Sequence, residues 1–166
     1  MKKIISLVLI LLTLTACRGD KEVTPRLLGI SFDAEITYFN ENYKGECVLS
    51  SDGVLTCRIS EPDMLSGYTL TLSKEGMTAE YLGISYTPNE SNMAFSGVIG
   101  EFYSKLNQII SSAQTAQQKD DTYVIKGGED ADAYTQYISS TGLPQSLRLP
   151  DDRFTVYFYN TTVLNE

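Results

Sequence analysis

The stretch YKGECVLSSDGVLTCRIS, residues 43–60, has the pattern of a β-hairpin and indicates the fold class of the chain. Apolar side chains alternate with polar ones on both sides of a polar turn, as in strands that bury one face. A three-residue turn over 51–53, with Gly53 in the left-handed conformation, places Cys47 directly opposite Cys57. Strands with one buried and one solvated face belong to antiparallel sheets, so the stretch predicts an antiparallel β-protein.

The register of this hairpin follows from the chemistry of the paired side chains. It sets three further pairs opposite each other: Leu49 with Leu55, Gly45 with Ile59, and Glu46 with Arg58. The first two pairs share the face of the cysteines, and the third joins opposite charges on the other face, which is weakly stabilising. A two-residue turn at Asp52 and Gly53 would mix the two faces, so the pattern favours the three-residue turn.

The opposed cysteines predict an intrachain Cys47–Cys57 disulfide in a domain that lies outside the reducing cytosol. Directly opposed residues in an antiparallel pair approach to about 4.5–5.5 Å between their Cα atoms, which a disulfide can span. Two alternatives remain open: free buried thiols, and disulfides between two copies of the chain. Because the bridge closes a short loop, we expect its effect on stability to be modest.

Period-two alternation extends over most of the remaining chain. It begins at residues 30–38 and resumes in a second hairpin, where a two-residue turn over 75–76 would align Leu70 with Tyr81. The strand after that turn is expected to continue through residues 84–86. Four more strands are predicted towards the C-terminus, separated by turns that contain Gly, Pro or Asp.

One segment has helical periodicity instead. Its apolar stripe consists of Ile99, Phe102, Tyr103, Leu106, Ile109, Ile110 and Ala113. Glu101 and Lys105, four residues apart, are expected to form a supporting pair on the solvent side. The tract SSAQTAQQKDD, residues 111–121, is predicted to be a polar linker. The fold class is therefore α+β: an antiparallel meander of eight or nine strands with one long amphipathic helix on the sheet.

The N-terminal sequence MKKIISLVLILLTLTAC, residues 1–17, has the three parts of a secretory signal peptide. Its apolar run is shorter than the roughly 20 residues of a membrane-spanning helix. The sequence LTAC at 14–17 resembles the lipobox of bacterial lipoproteins, in which Cys17 carries diacylglycerol, with fatty acids such as palmitate, and becomes the first mature residue. The alternative is an ordinary secretory signal peptide with an incidental cysteine.

These features divide the chain into three parts: a signal peptide at 1–16, the lipidated cysteine and a charged tether at 17–28, and a single domain at 29–166. The 150 residues left after removal of the signal peptide suffice for one domain with its own core, and the net charge changes from −8 to −10. Acidic chains disfavour nucleic acid and anionic bilayers as partners. We therefore expect an extracytoplasmic protein that its lipid anchors to the bacterial cell membrane.

The composition excludes several kinds of catalysis. There is no histidine, which removes histidine-based triads, cysteine–histidine dyads and histidine-ligated metal sites. The acidic turn residues are Asp120, Asp121, Glu129, Asp130, Asp132, Asp151 and Asp152. They match neither the paired carboxylates of glycosidases nor a calcium-binding loop. We expect them to be solvated turn residues, with no catalytic residue, metal or cofactor in the protein.

Several short motifs together resemble the LolA/LolB-like family of lipoprotein carriers and its lipid-anchored relatives in Gram-positive bacteria. They are YKG at 43–45, the segment from Ile59 through Pro62 to Leu65 and Gly67, GISY at 83–86, and GLP at 142–144 followed by Leu147. The resemblance covers residues 32–160. It implies a curved antiparallel half-barrel whose concave face is covered by helices and, in the carriers, holds acyl chains. Carriers have more helices than the one predicted here, so the lid is expected to be smaller and the cavity open or filled.

Two functions are consistent with these observations. The first is a membrane-anchored, non-catalytic lipoprotein that binds a lipid, or the acyl chain of a lipoprotein, in the half-barrel cavity. The candidate lining consists of Phe32, Ile36, Leu49, Leu55, Leu70, Leu72 and Tyr81, with Phe102, Leu106 and Ile110 as the lid. In the second, the same residues form an ordinary core, and the protein is a scaffold that presents a sheet edge or a loop to a cell-envelope partner. An envelope hydrolase that uses carboxylates is a third alternative.

Overall fold

The structure is a computed structural model that describes residues 22–88, 94–112, 114–119, 122–130, 133–150 and 153–164. These residues form an open, curved antiparallel sheet of 11 strands with one α-helix, so the predicted α+β class is confirmed, but the predicted number of eight or nine strands is too low. The predicted signal peptide and Cys17 lie outside the described residues. Within those residues, no helix is both long enough and apolar enough to span a membrane.

The first half of the chain forms consecutive hairpins. The strands are β1 (Ile30–Tyr38), β2 (Glu41–Leu49), β3 (Leu55–Glu61), β4 (Thr69–Ser73), β5 (Gly76–Tyr81) and β6 (Ile84–Tyr86). A short 3-10 helix, Asp63–Leu65, lies between β3 and β4. Each strand pairs with the one before it in antiparallel orientation, because every connection is a turn or a short loop.

The second half of the chain contains the helix and the remaining strands. They are α1 (Ala94–Ser112), β7 (Gln117–Lys119), β8 (Thr122–Gly127), β9 (Tyr134–Ile138), β10 (Pro144–Arg148) and β11 (Phe154–Val163). Because β11 pairs with β1, the two halves form one sheet in the order β6-β5-β4-β3-β2-β1-β11-β10-β9-β8-β7. The predicted polar linker after the helix is wrong in part, since β7 forms there and pairs with β8.

The predicted register of the first hairpin is confirmed. The pairs are Cys47 with Cys57, Leu49 with Leu55, Gly45 with Ile59, and Glu46 with Arg58. The two cysteines form an intrachain disulfide, and their Cα atoms are 4.2 Å apart. Gly45 is required at its position, because a Cβ atom there would lie 2.5 Å from the carbonyl oxygen of Arg58. The hairpin is therefore fixed by close backbone packing as well as by the disulfide.

The second hairpin has a different register from the predicted one. Its turn begins one residue earlier, so Leu70 lies opposite Ala79 instead of Tyr81. The Ser73 hydroxyl accepts a hydrogen bond of 3.1 Å from the N–H of Glu75 and stabilises this earlier turn. The predicted continuation of the strand through residues 84–86 is also wrong, because a tight turn separates β5 from β6.

The turns divide between two ends of the sheet, which we call the near end and the far end. The near end contains the start of β1 and the turns β2–β3, β4–β5, β7–β8 and β9–β10. The far end contains the connections β1–β2, β3–β4, β5–β6, β8–β9 and β10–β11. Helix α1 lies over the near end, because the hydroxyl of Tyr103 donates a 2.9 Å hydrogen bond to the carbonyl of Gly53 in the β2–β3 turn.

One face of the helix packs into the hydrophobic core around which the sheet curves. Its buried apolar residues are Val98, Ile99, Phe102, Leu106 and Ile109. Lys105 lies on the same face with only 5% of its surface exposed, so its predicted position on the solvent side is wrong. A lysine can occupy such a position because its aliphatic stem packs among apolar side chains. Ala113, the last residue of the predicted stripe, lies outside the described residues.

The first described residues pack along the β7 edge of the sheet and against the near end. Val23 forms a β-bridge with Ala116, and the N–H of Arg26 donates a 2.8 Å hydrogen bond to the carbonyl of Gly142. Leu27 is buried in the core. Part of the segment 17–28 that composition predicts as a tether is therefore folded onto the domain.

Candidate functional site

Eight of the ten residues predicted to line a cavity are buried in the hydrophobic core. They are Phe32, Ile36, Leu49, Leu55, Leu70, Leu72, Phe102 and Leu106, and each has at most 3% of its surface exposed. A side chain that lined a cavity large enough for water would be accessible to a water-sized probe. These eight side chains are therefore packed against their neighbours in this structure.

Three phenylalanines fill the space between the helix and the sheet. The ring of Phe102 in α1 lies 6.2 Å from that of Phe32 in β1 and 5.8 Å from that of Phe158 in β11, measured between centroids. The centroids of Phe32 and Phe158 are 5.0 Å apart. These are the edge-to-face and tilted arrangements that aromatic side chains favour in protein cores.

The other two predicted lining residues lie outside this packed region. Tyr81, 36% exposed, stacks on Tyr68 at the far end, with ring centroids 4.3 Å apart. Ile110 is only partly buried and faces an apolar groove of about 420 Å³ at the near end. The apolar wall of this near-end groove consists of Leu27, Leu28, Ile109, Ile110 and Val163.

Four large apolar side chains project into solvent from the far end. They are Phe39 (61% exposed), Met64 (82%), Leu82 (83%) and Ile84 (70%), and we call them the far-end tips. In the part of the chain that the structure describes, they are the most exposed large hydrophobic residues. They come from three connections: the β1–β2 turn, the 3-10 helix between β3 and β4, and the β5–β6 turn with the first residue of β6.

Two of these tips adopt a backbone conformation that is unfavourable for residues with bulky side chains. Phe39 has a φ of +52° and Leu82 a φ of +50°, in the left-handed region that glycine and asparagine adopt most readily. For a residue with a bulky side chain this conformation costs about 1–2 kcal/mol. At the near end, the β2–β3 turn has Gly53 in this region, with a φ of +85°. The far-end turns thus expose apolar side chains and carry backbone strain at the same residues.

A row of side chains connects the core to the far-end tips. Ile59, Tyr68, Tyr81 and Ile84 occupy neighbouring positions on β3, the start of β4, β5 and β6. Ile59 is buried, Tyr68 half-buried, Tyr81 more exposed and Ile84 mostly exposed. The apolar surface therefore continues from the interior to the edge of the sheet, and the stacked tyrosine rings support it.

Carboxylates outnumber basic side chains around the tips, although Arg153 lies beside Phe39, whose N–H donates a 2.7 Å hydrogen bond to the Arg153 carbonyl. Exposed carboxylates are contributed by Glu41, Asp63 and Glu80. Glu61 forms a 3.1 Å ion pair with Lys44, and both side chains are about half exposed. The hydroxyl of Tyr43 donates a hydrogen bond to the Glu41 carboxylate. Burial, together with this hydrogen bond and the negative charge of Glu41, raises the pKa of Tyr43 to about 12.

The acidic turn residues do not assemble into a metal site in the described part of the chain. No group of three or more His, Cys, Asp or Glu side chains is placed there to hold a metal ion. Glu129 and Asp130 are exposed in the β8–β9 connection. The remaining acidic turn residues, Asp120, Asp121, Asp132, Asp151 and Asp152, lie outside the described residues.

The far-end tips were missed by sequence reasoning, which assigned Ile84 to a long strand and gave Phe39, Met64 and Leu82 no role. The available signal is an apolar residue directly before a turn-forming one, in Phe39-Asn40 and Leu82-Gly83. No protein-family model matches the chain, and no curated protein matches it in sequence. The resemblance to the LolA/LolB-like carriers therefore depends on the short sequence motifs alone.

Proposed function

We propose that this protein is a lipid-anchored, LolA-like bacterial lipoprotein of the extracytoplasmic membrane face, and that it acts as a non-catalytic interaction protein. The observation that carries the proposal is the filled interior, where eight candidate lining residues are at most 3% exposed. Pockets for small ligands usually enclose about 300–1,000 Å³ lined by accessible apolar side chains. A helix packed on the sheet through Phe102 leaves no such space among these eight residues.

The anchor in this proposal is Cys17 in the lipobox-like sequence LTAC. Two acyl chains on one residue are sufficient for stable membrane attachment, so no charged surface is needed. The N-terminal chain reaches the near end at Arg26, whose N–H donates a 2.8 Å hydrogen bond to the carbonyl of Gly142 in the β9–β10 turn. These placements support a domain held close to the membrane by its near end.

Labelling with an alkyne fatty acid in the cells that make the protein tests the anchor. The full-length chain should become labelled and fractionate with membranes, and Cys17→Ser should lose both properties. Cys47→Ser is the matched control, because it removes a cysteine of the disulfide and should leave the label in place. Label on the Cys17→Ser variant would contradict the proposed anchor.

Native mass spectrometry of the full-length lipoprotein in detergent micelles tests the filled interior. The expected mass is that of the mature chain with its covalent anchor alone. A second lipid that remains bound, and is lost when Leu106→Trp adds volume beneath the helix, would instead show an acyl-binding interior.

Acyl-chain binding remains a second candidate because of the near-end groove. Its apolar wall and volume of about 420 Å³ suit part of one acyl chain, and Ile110, a predicted lid residue, belongs to it. A fluorescent fatty acid should then bind the full-length protein. Leu28→Asp should lower its affinity about tenfold, because the substitution introduces a charge into the groove. Val48→Asp, an exposed substitution outside the groove, is the control.

A further inference from the structure

We propose that the far-end tips, Phe39, Met64, Leu82 and Ile84, are the docking surface for a protein partner whose apolar patch is bordered by Lys and Arg. This inference rests on the proposed function, because it places the membrane anchor at the N-terminus. It identifies the surface through which the proposed interaction protein contacts its partner.

The chemistry of the turns differs between the two ends of the sheet. The described near-end turns are polar: Ser51-Asp52-Gly53, Lys74-Glu75 and Ser140-Thr141-Gly142. The far end instead exposes four large apolar side chains by 61–83%. Exposed large apolar residues that share one end of a molecule mark an interaction surface, whereas single ones scattered over a surface do not.

The strained turns indicate that these side chains serve contact and not folding. At Phe39 and Leu82, Gly or Asn would satisfy the positive φ with less strain. Leu82 gains no burial that offsets the strain, since 83% of its surface remains exposed, and Phe39, whose ring packs edge-to-face on Tyr38 with centroids 4.8 Å apart, is still 61% exposed. Strained, exposed apolar residues that fold stability does not favour are typical of binding loops.

The size and support of the surface fit a protein partner. From the β1–β2 turn to the β5–β6 turn is about four strand spacings, or roughly 19 Å. A standard protein interface covers about 800 Å² on each partner, so these turns lie within one such patch. The stacked rings of Tyr68 and Tyr81 give it rigid aromatic area, which is typical of interface centres.

The position of the anchor favours a protein over the anchoring bilayer. Five residue steps separate Cys17 from Glu22 and span at most about 18 Å, while a nine-residue strand such as β1 is about 30 Å long. The tether is thus shorter than the strand, and the chain reaches β1 through the near end, which favours a position of the far end away from that membrane. The carboxylates of Glu41, Asp63 and Glu80 around the tips also disfavour an anionic lipid surface and complement a basic border.

Photo-crosslinking in the cells that make the full-length lipoprotein locates the partner. A photoreactive amino acid at position 82 or 39 should give one protein adduct, and the same amino acid at Val48, which is 39% exposed on β2, should not. The adduct at position 82 should weaken at least fivefold when Phe39→Asn is added, because both residues contact the same partner.

Binding of the identified, purified partner to the full-length lipoprotein in nanodiscs then measures the effect. Leu82→Asn and Phe39→Asn should each lower the affinity about tenfold, and Val48→Thr should leave it unchanged. Raising the salt concentration from about 0.05 M to about 0.5 M should weaken binding several-fold, as expected for a basic border on the partner. Urea unfolding should show that Leu82→Asn is at least as stable as the parent and that Phe39→Asn, which loses the ring contact with Tyr38, remains fully folded under the binding conditions, which separates lost contact from lost folding.

Four outcomes would overturn the proposal. They are no adduct from either position, an adduct with the mass of two copies of this chain, adducts with lipid only, and an equal loss of affinity in Val48→Thr. Failure of the proposed function is distinguished by a different readout, the fatty-acid label at Cys17. A labelled protein without an adduct leaves the anchor intact and contradicts the docking surface alone.

Discussion

The near end and the far end of the sheet differ in the burial of their large apolar side chains. At the near end, helix α1 covers the sheet, and Phe102, Phe32 and Phe158 are buried together. At the far end, Leu82 and Met64 project into solvent from turns. The same class of side chain thus stabilises the fold at one end and is left uncovered at the other.

This difference shows which part of the molecule is available for binding. Side chains that are buried against the helix contribute to stability and are not accessible to a partner, whereas exposed apolar turns contribute little to folding. Function is therefore expected to depend on far-end residues that can be changed with little loss of stability. Stability is expected to depend on the side chains that are buried beneath the helix.

The largest expected effect is loss of the helix–sheet contact. Phe102→Ala should lower the free energy of unfolding by about 3–5 kcal/mol, because it removes a fully buried ring and leaves a cavity between Phe32 and Phe158. Met64→Ala at the far end should change it by less than about 0.5 kcal/mol. Urea unfolding followed by circular dichroism measures both, and equal losses would remove the distinction between the two ends.

Loss of the disulfide is expected to have an intermediate effect. Replacing both Cys47 and Cys57 with Ala should lower the free energy of unfolding by about 2 kcal/mol, since the bridge closes a short loop that the hairpin also holds. The near-end packing of the helix should survive, and near-ultraviolet circular dichroism of the buried aromatic rings reports on it. A loss of unfolding free energy as large as that of Phe102→Ala would show that the near-end core depends on the disulfide-bonded hairpin.

The far end should respond to alkaline pH. Tyr43 has a pKa of about 12 in the folded protein against its ordinary value of 10.0, chiefly because burial disfavours the charged form. Its contribution to stability is complete below pH 10 and is lost as the pH rises from 10 through 12. After allowance for solvent screening, we expect a loss of about 1 kcal/mol, absent in Tyr43→Phe. Parallel stability curves of the two proteins between pH 9 and about 12 would contradict this.

The smallest effects, of opposite sign, are expected from single turn residues. Gly53→Ala should destabilise the near-end turn by about 1 kcal/mol, because a side chain at φ +85° is strained although no atom lies within 4 Å of the added Cβ. Leu82→Asn should stabilise the far-end turn by about 0.5–1 kcal/mol, since Asn tolerates the left-handed conformation better. Thermal unfolding distinguishes the two signs, and a destabilised Leu82→Asn variant would mean that this side chain serves folding.

How far the sequence predicts the strand pairing depends on whether alternative registers differ chemically. In the first hairpin, a two-residue turn would set Cys47 against Arg58 and mix the faces, so the pattern selects one register. In the second hairpin, the observed turn lies one residue before the predicted one and changes the partner of Leu70 from Tyr81 to Ala79. Both partners point to the same face, so period-two alternation cannot distinguish these registers.

The sequence predicts which residues of the candidate site face inward, but not whether they enclose a cavity. Alternation identifies Phe32, Leu55 and Leu70 as inward-facing, and the structure buries all three. The same alternation is produced by a packed core and by a cavity wall, so it cannot distinguish a filled half-barrel from an open one. The far-end tips fall outside any periodicity, because turn residues such as Leu82 have no regular neighbours.

The two edge strands affect whether copies of this protein can pair edge to edge. An open sheet has two free edges, and an edge strand can pair with a neighbouring molecule in the manner of aggregation. Here both edges are minimal, since β6 and β7 have three residues each. Such short edges offer few backbone groups for sheet extension, which would limit the growth of filaments if the proposed anchor concentrates the chains in two dimensions.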